Sequence, residues 1–187
     1  MEANTDDGSC IYPEEGYDCD GNLQIGNQHA GGIIFYIDET GEHGLVAAME
    51  DIEGTYEWGC YGTDINGNNS NVSPELEGIG TGLQNTLEIV SECSETPIAA
   101  SEALAYESEG YSDWYIPSKD ELLEMYYTIG NGCPEGDIGG FDTINQPHYW
   151  SSSEYYIYNA FGVDFSYGGT FDLNKDYSFR VRVIRAF

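Results

Sequence analysis

Apolar and polar positions alternate near both ends of the chain and fall at helical spacing in its middle. Gly31-Gly32-Ile33-Ile34-Phe35-Tyr36-Ile37 is an apolar run of strand length. Asp38-Glu39-Thr40-Gly41-Glu42-His43 is a polar turn, and Gly44-Leu45-Val46-Ala47-Ala48 returns as the second strand of a hairpin. His43, at the turn, reads as a hydrogen-bonded structural residue rather than a ligand. Residues 51–80 are loop-rich, with Gly, Asn and Ser between Trp58 and Gly80 and sequons at Asn68 and Asn71. A helix fits Gln84 to Cys93, with Leu83, Leu87 and Val90 on one face. A second fits Ile98 to Glu107, with Pro97 at its start. The third has Ser118 as N-cap and Glu121 three residues on, a capping box, with Leu122, Met125 and Tyr126 spaced for one buried face. Strands follow at Tyr149 to Ser153, about 160–166, about 169–173, and Phe179 to Ile184. In the last, Val181 and Val183 face one side while Arg180 and Arg182 face the other. The pattern predicts an α+β fold of small antiparallel sheets with two to three helices.

The domain proper begins near Gly26. Residues 1–25 are polar and read as an acidic spacer, stapled by a disulfide between Cys10 and Cys19. Asp18, Asp20 and Asn22 place oxygen ligands at alternate positions, an arrangement that calcium favours. The downstream Glu of an EF-type loop is missing, and a solvated linker accounts for the same residues. The opening residues read as a cut through a longer secreted protein.

Charge narrows the function. The chain holds 34 acidic and five basic residues, a net charge of -29. That excludes nucleic acid, whose phosphates need a basic patch, and attachment to an anionic membrane. No apolar run is long enough to span a bilayer. Four of the five basic residues, Lys175, Arg180, Arg182 and Arg185, lie in the last thirteen, and Lys119 is the fifth. In so acidic a body these arginines are expected to pair with carboxylates as structural clasps. The five cysteines include no zinc-type pair, so disulfides in an oxidising compartment fit better. Among Cys60, Cys93 and Cys133 one bond can form, with Cys60–Cys93 a candidate, and one thiol is left over.

The chemistry of interest lies between Tyr149-Trp150-Ser151-Ser152-Ser153-Glu154 and Arg180-Val181-Arg182-Val183-Ile184-Arg185. The stretch 155–179 is rich in Tyr, Asn, Asp, Ser, Thr and Gly and lacks Glu, Gln, Met and Trp. Binding surfaces use this mixture: Tyr gives rigid contact area, and small polar residues give adaptable hydrogen bonds. The candidate ligand-binding residues are Tyr155, Tyr156, Tyr158, Asn159, Asp164, Ser166, Tyr167, Thr170, Phe171, Asp172, Asn174, Asp176, Tyr177 and Phe179. A purely structural Tyr-rich sheet is the competing account.

Four blocks in order carry a resemblance: Gly31-Gly32-Ile33-Ile34-Phe35-Tyr36 with Gly41 to Ala48, Asp113-Trp114-Tyr115-Ile116-Pro117-Ser118-Lys119-Asp120-Glu121-Leu122, Tyr149 to Glu154, and Arg180 to Arg185. Over residues 26–187 the chain resembles the bacterial family named for the C-terminal domain of the Legionella collagen-like adhesin. The resemblance implies a C-type-lectin-type fold in which the N-terminal hairpin pairs with the C-terminal strand. It implies an extracellular adhesion or binding module, with 150–179 as the exposed face. Many members carry a further Cys after the Ala-Ala of the second helix, where this chain has Ala99-Ala100-Ser101-Glu102. The segment 155–179 also resembles the variable segments of lectin-fold proteins diversified by retroelements. Those segments lie between Trp-Ser-Ser and a terminal Arg-Val-Arg block and are built from Asn codons altered at their adenines. Most residues from Tyr155 to Phe179 fit that codon set, and Lys175 would be a fixed position.

Three functions compete on this basis. The leading one is an adhesion module whose partner is a protein or glycan on another surface, with calcium as a candidate helper. The chain has no Glu-Pro-Asn or Gln-Pro-Asp sugar motif. The second is a structural tile of a surface filament or stalk. The third, a carbohydrate-active enzyme, is weakest: there is no Gly-x-Ser-x-Gly, no glycine-rich phosphate loop, and carboxylate pairs are uninformative in so acidic a chain.

Overall fold

The computed structural model describes residues 16–18, 20–65 and 77–187. Cys10, Cys19 and both sequons lie outside the described residues. In chain order the elements are β1 (Gln28–His29), β2 (Gly32–Ile37), β3 (Gly44–Ala48), β4 (Tyr56–Glu57), α1 (Gly82–Glu92), α2 (Ala99–Ala105), α3 (Lys119–Thr128), β5 (His148–Tyr156), β6 (Asn159–Asp164), β7 (Gly169–Asn174), β8 (Ser178–Phe179) and β9 (Ile184–Ala186). This is a mixed α and β architecture with small antiparallel sheets.

One sheet, ordered β1-β2-β3-β9, joins the two ends of the domain. Leu45 pairs with Ala186 and Ala47 with Ile184, so the N-terminal hairpin does meet the C-terminal strand. Alternation along β2 and β3 splits their side chains between two cores. Ile34, Val46 and Ala48 face a core that holds Trp58, Trp114 and Trp150, with Ile89 of α1 and Ala99, Ala100 and Ala103 of α2. Ile33, Phe35, Leu45 and Ala47 face a second core with Leu122 and Met125 of α3 and Tyr149, Val163 and Phe165. Leu23 is buried in the first core and Tyr17 packs against it.

Local signals placed α3. Ser118 accepts from the Glu121 N–H, and the Glu121 carboxylate accepts from the Ser118 N–H at 2.6 Å. That carboxylate also takes the Gly80 N–H at 2.8 Å, and burial pushes its pKa up. α1 is turned otherwise than its apolar stripe suggests. Leu83, Leu87 and Val90 are exposed, whereas Asn85, Thr86 and Ile89 are buried. Thr86 explains the rotation: its hydroxyl donates to Gly82 O and accepts from Ile116 N–H at 3.1 Å.

The expected strand from Phe179 to Ile184 is broken. Phe179 pairs with Tyr56 in β8, Ile184 starts β9, and the backbone between them serves two neighbours. Arg180 O accepts from Trp150 N–H, and Val181 O and Val183 O accept from Ile52 and Ala48 N–H. The alternation of side chains survives the break, with Val181 and Val183 in the first core and Arg182 directed to Asp51.

Candidate functional site

The candidate face stands on the three-stranded sheet β5-β6-β7. β5 anchors it. Residues Tyr149 to Glu154 are all buried, and their polar groups are used internally. Ser151 Oγ donates to Phe161 O at 2.7 Å, Ser152 Oγ to Pro117 O at 3.2 Å, and Ser153 Oγ accepts the Lys119 N–H at 3.0 Å. The indole N–H of Trp150 donates to Tyr56 O at 3.0 Å, and that of Trp58 to Ser151 O at 2.9 Å. The Trp-Ser-Ser-Ser block is therefore scaffold.

Beneath the face sits Lys175. Its ammonium is fully buried, pairs with the Glu154 carboxylate, donates to Thr63 O at 2.9 Å and lies 4.5 Å from the Trp58 ring centroid. Glu154 also takes the Ile65 N–H at 3.2 Å. Burial pushes the Glu154 carboxyl up and the Lys175 ammonium down, and each is the chief counterweight to the other's shift. This pair ties the loop 58–65 to the sheet.

From that base the tyrosines rise. Tyr156, Tyr158, Tyr167 and Tyr177 are 38%, 42%, 70% and 48% exposed. Tyr156 ends β5 and Tyr158 is the second residue of the two-residue turn into β6, their rings 6.1 Å apart. Tyr61, outside the predicted segment, joins them at 5.0 Å from Tyr158. The Gly62 N–H donates to Ile157 O at 2.8 Å, which carries Tyr61 there. Only the tertiary fold brings this loop to the turn, so the sequence pattern gave no signal for it.

The remaining candidates divide by strand face. Ser166, Thr170, Asp172 and Asp176 are exposed, and Tyr155 and Asn174 are half-buried. Asn159 Nδ2 donates to the Asp172 carboxylate at 3.1 Å, and Tyr155 packs on Phe161 at 5.0 Å. Phe171 and Phe179 face the first core and meet each other at 5.4 Å, with His148 stacked on Phe179 at 5.2 Å. Gly162 makes this approach feasible, since a Cβ there would lie 2.4 Å from the Phe171 ring. Asp164 is buried: its carboxylate holds the β6–β7 turn through Ser166 N–H at 2.8 Å and faces His148 at 3.4 Å. It is thus placed as a turn former.

All five basic side chains are spoken for. Lys119 pairs with Glu77 and Lys175 with Glu154. Arg180 bridges Asp51 at 3.2 Å and Asp142 at 2.9 Å. Arg182 meets Asp51 at 2.7 Å, donates to Ala48 O and Gly139 O, and covers the Phe141 ring at 4.3 Å. Arg185 clamps Asp113 at 2.7 and 2.9 Å and stacks on Tyr111 at 3.8 Å. The clasp reading of the C-terminal arginines holds.

Asp18 turns its carboxylate onto its own loop, accepting from Asp20 and Asn22 N–H at 2.9 Å each and from Gln24 at 3.1 Å. Those bonds hold its pKa below the usual range. Among the described residues, the sole cluster with metal-ligand spacing is Cys60, Cys93 and Glu95. Cys60 and Cys93 are joined as a disulfide, and Cys133 is a buried free thiol. Cavities of about 350, 480 and 440 Å³ are lined by residues 28–32, 49 and 107–112 and by residues 55–57, 95–98 and Ser178. Apart from Ser178 these three cavities do not draw on 155–179.

These features define a disulfide-bonded, mixed α and β domain that displays an aromatic face. A family model described as the Lcl C-terminal domain matches residues 53–185. The chain belongs to that family. No curated protein matches it. Among solved structures it is similar to a fimbrial protein from Bacteroides ovatus ATCC 8483, with 16% identity, a TM-score of 0.52, and coverage of 93% of this chain and 48% of that one. The likeness is one of fold, and the chain spans about half the length of that structure. No helix among the described residues is long and apolar enough to cross a membrane.

Proposed function

We propose that this domain is an extracellular adhesion module, without catalytic activity, on a C-type-lectin-type scaffold. It presents the open face of 155–179, joined by Tyr61, to a protein or glycan on another surface. The observation that carries this is the exposure of Tyr156, Tyr158, Tyr167 and Tyr177 above a buried and fully paired base. Large exposed aromatics supply hot-spot contact area. Flat open surfaces suit extended partners, whereas small molecules favour enclosed pockets. The Lcl-type family and the disulfide support a surface location. Anionic partners are disfavoured because every cation of the chain is engaged internally. Calcium remains a proposed helper, with Asp18, Asp20 and Asn22 its nearest candidates.

Retroelement diversification is part of this reading. It draws support from the split between exposed positions such as Tyr158 and Thr170 and buried ones such as Ala160, Val163 and Lys175. The test has two arms. The domain is coupled to beads and challenged with protein and glycan arrays, beside a Tyr156→Ser/Tyr158→Ser/Tyr177→Ser triple variant. Retention by the wild type alone is the expected result, and equal retention by both sinks the aromatic face. Sequencing the coding region across a source population is expected to find substitutions clustered in 155–179 and absent from Trp150 and Arg180 to Arg182.

The filament-tile reading has one observation in its favour, the fold likeness to a fimbrial protein. Non-reducing size exclusion separates the two: a ladder of covalent oligomers favours the tile.

A further inference from the structure

β7 is the outer strand of its sheet. Its six residues pair with β6 without a register break, from Asn159↔Asn174 to Asp164↔Gly169. Two bonds fix the phase of that ladder. Lys175 N–H donates to Tyr158 O at 3.0 Å, just outside the Asn159↔Asn174 pair. Phe165 N–H donates to Pro147 O at 2.8 Å, just outside His148↔Asp164, so Asp164 directs its own backbone groups away from β5 and toward β7. In an antiparallel ladder both place Asn174 in an open pair, with its N–H and C=O pointing away from β6. The period of two gives Thr170 and Asp172 the same orientation. Asn174 O takes the Tyr177 N–H at 3.0 Å. The N–H groups of Thr170, Asp172 and Asn174, and the C=O groups of Thr170 and Asp172, have no hydrogen-bond partner among the described residues.

An open edge of this kind is a template for another strand, and proteins blunt it with Lys, Pro, a bulge or a cover. β7 reads Gly-Thr-Phe-Asp-Leu-Asn and has no Lys, Pro or bulge. Its one charge, Asp172, is exposed. That charge, within a chain of net charge -29, repels a second copy of the same edge. It leaves the edge open to a basic strand, because no cation of this chain is available to neutralise it. An added strand would also meet the half-buried ring of Phe171 on one face and Asp172 with Asn159 on the other.

We infer that β7 is the acceptor edge for an extended, basic segment of a partner polypeptide, which adds as a fourth strand to the β5-β6-β7 sheet. The inference rests on the adhesion reading and names its partner as polypeptide. Backbone bonds would give affinity, and Lys or Arg opposite Asp172 would give selectivity.

The test uses the full chain and three capped octapeptides: alternating Lys and Val, alternating Glu and Val, and the Lys–Val peptide N-methylated at every second residue. The Lys–Val peptide is expected to bind in fluorescence anisotropy and to slow amide exchange at residues 170, 172 and 174. The Glu–Val peptide is expected not to bind. N-methylation on the pairing edge should weaken binding at least about tenfold, since it deletes several backbone bonds at once. Asp172→Pro removes an N–H that the domain does not use and should weaken the Lys–Val peptide to a similar degree. Asp172→Lys keeps the strand chemistry, inverts the charge, and should do the same with an unchanged melting temperature. Strand addition is overturned if the Lys–Val peptide does not bind, if its methylated form binds as well, or if exchange at 170, 172 and 174 is unchanged at saturation. The bead assay with the tyrosine triple variant scores adhesion separately, so loss of the strand mode alone leaves the aromatic face standing.

Discussion

Residues 155–179 and 180–185 adjoin in the chain and use polar side chains in opposite ways. In the second stretch each arginine is turned inward onto a named carboxylate, and Arg182 is 1% exposed. In the first, most Tyr, Asp and Asn side chains are exposed or half-buried, and Tyr61, Tyr156 and Tyr158 pack ring on ring. Lys175 is the exception, a clasp residue lodged inside the tyrosine-rich stretch. The contrast teaches that the scarce positive charge in this chain builds the scaffold, while tyrosines and small polar or acidic residues are left at the surface. If that division is right, stability and adhesion should respond to separate sets of substitutions.

The clasp should give the largest stability losses. Arg182→Ala removes one of the two arginines on Asp51, leaving that carboxylate to Arg180 and the Tyr149 hydroxyl, and takes the donor from Ala48 O and Gly139 O together with the Phe141 stacking. A buried acceptor that loses its donor costs about 1–3 kcal/mol, and with two such carbonyls and the lost stacking the total should be about 3–5 kcal/mol. Urea denaturation should report a loss of that order. A loss under about 1 kcal/mol, the level of a surface pair, would erase the distinction between the two stretches.

Lys175→Met comes next, at about 3 kcal/mol near neutral pH, because Glu154 is left buried without its cation. Adding Glu154→Gln should return part of the loss. The pH dependence has a definite sign. Burial holds the Glu154 carboxyl above its ordinary 4.5 in the folded protein. The folded state therefore binds its proton more readily than the unfolded chain, so that contribution is present at low pH and is lost as pH rises through the folded value. In the Lys175→Met protein the shift can only grow, so its deficit against wild type should be largest near pH 7 and shrink toward pH 5. A deficit that is flat across this range would mean that Glu154 is not the group left stranded.

How much of this was legible depends on how local each signal was. The α3 cap could be read from Ser118 and Glu121 because both partners lie within one turn. The arginine clasps could be read from charge scarcity alone, although their partners Asp51, Asp113 and Asp142 could not. The α1 stripe of Leu83, Leu87 and Val90 misled, since Thr86 and Asn85 make their bonds to residues 30 and 67 positions away. Asp164 looked like a ligand group because a one-dimensional pattern cannot tell a carboxylate that closes a turn from one that faces solvent. Tyr61 was missed because the Lys175–Glu154 pair, with the Thr63 and Ile65 backbone, folds its loop onto the sheet.

Ser118→Ala offers a smaller check on the scaffold side. It removes the acceptor for the Glu121 N–H and a donor to Gly78 O. The loss should be about 1 kcal/mol, the usual cost of an N-cap, read as a lower urea midpoint with an unchanged slope.

The smallest stability effect should fall on the face itself, and there the comparison is sharpest. Tyr158 is 42% exposed, its ring packs on Tyr61 and Tyr156, and its backbone carbonyl, which holds Lys175 N–H, survives any side-chain change. Tyr158→Ala should therefore shift stability by no more than about 0.5 kcal/mol, the range of surface substitutions. On the display side the same change removes a rigid aromatic anchor, and truncating one such anchor costs about 2 kcal/mol of binding or more. Retention on the array surface that holds the wild type should then fall by at least about tenfold. Arg182→Ala, assayed where it is still folded, should keep that retention. If Tyr158→Ala unfolds the domain as Arg182→Ala does, or if it adheres like the wild type, the tyrosines are not a display surface and the two stretches differ in degree alone.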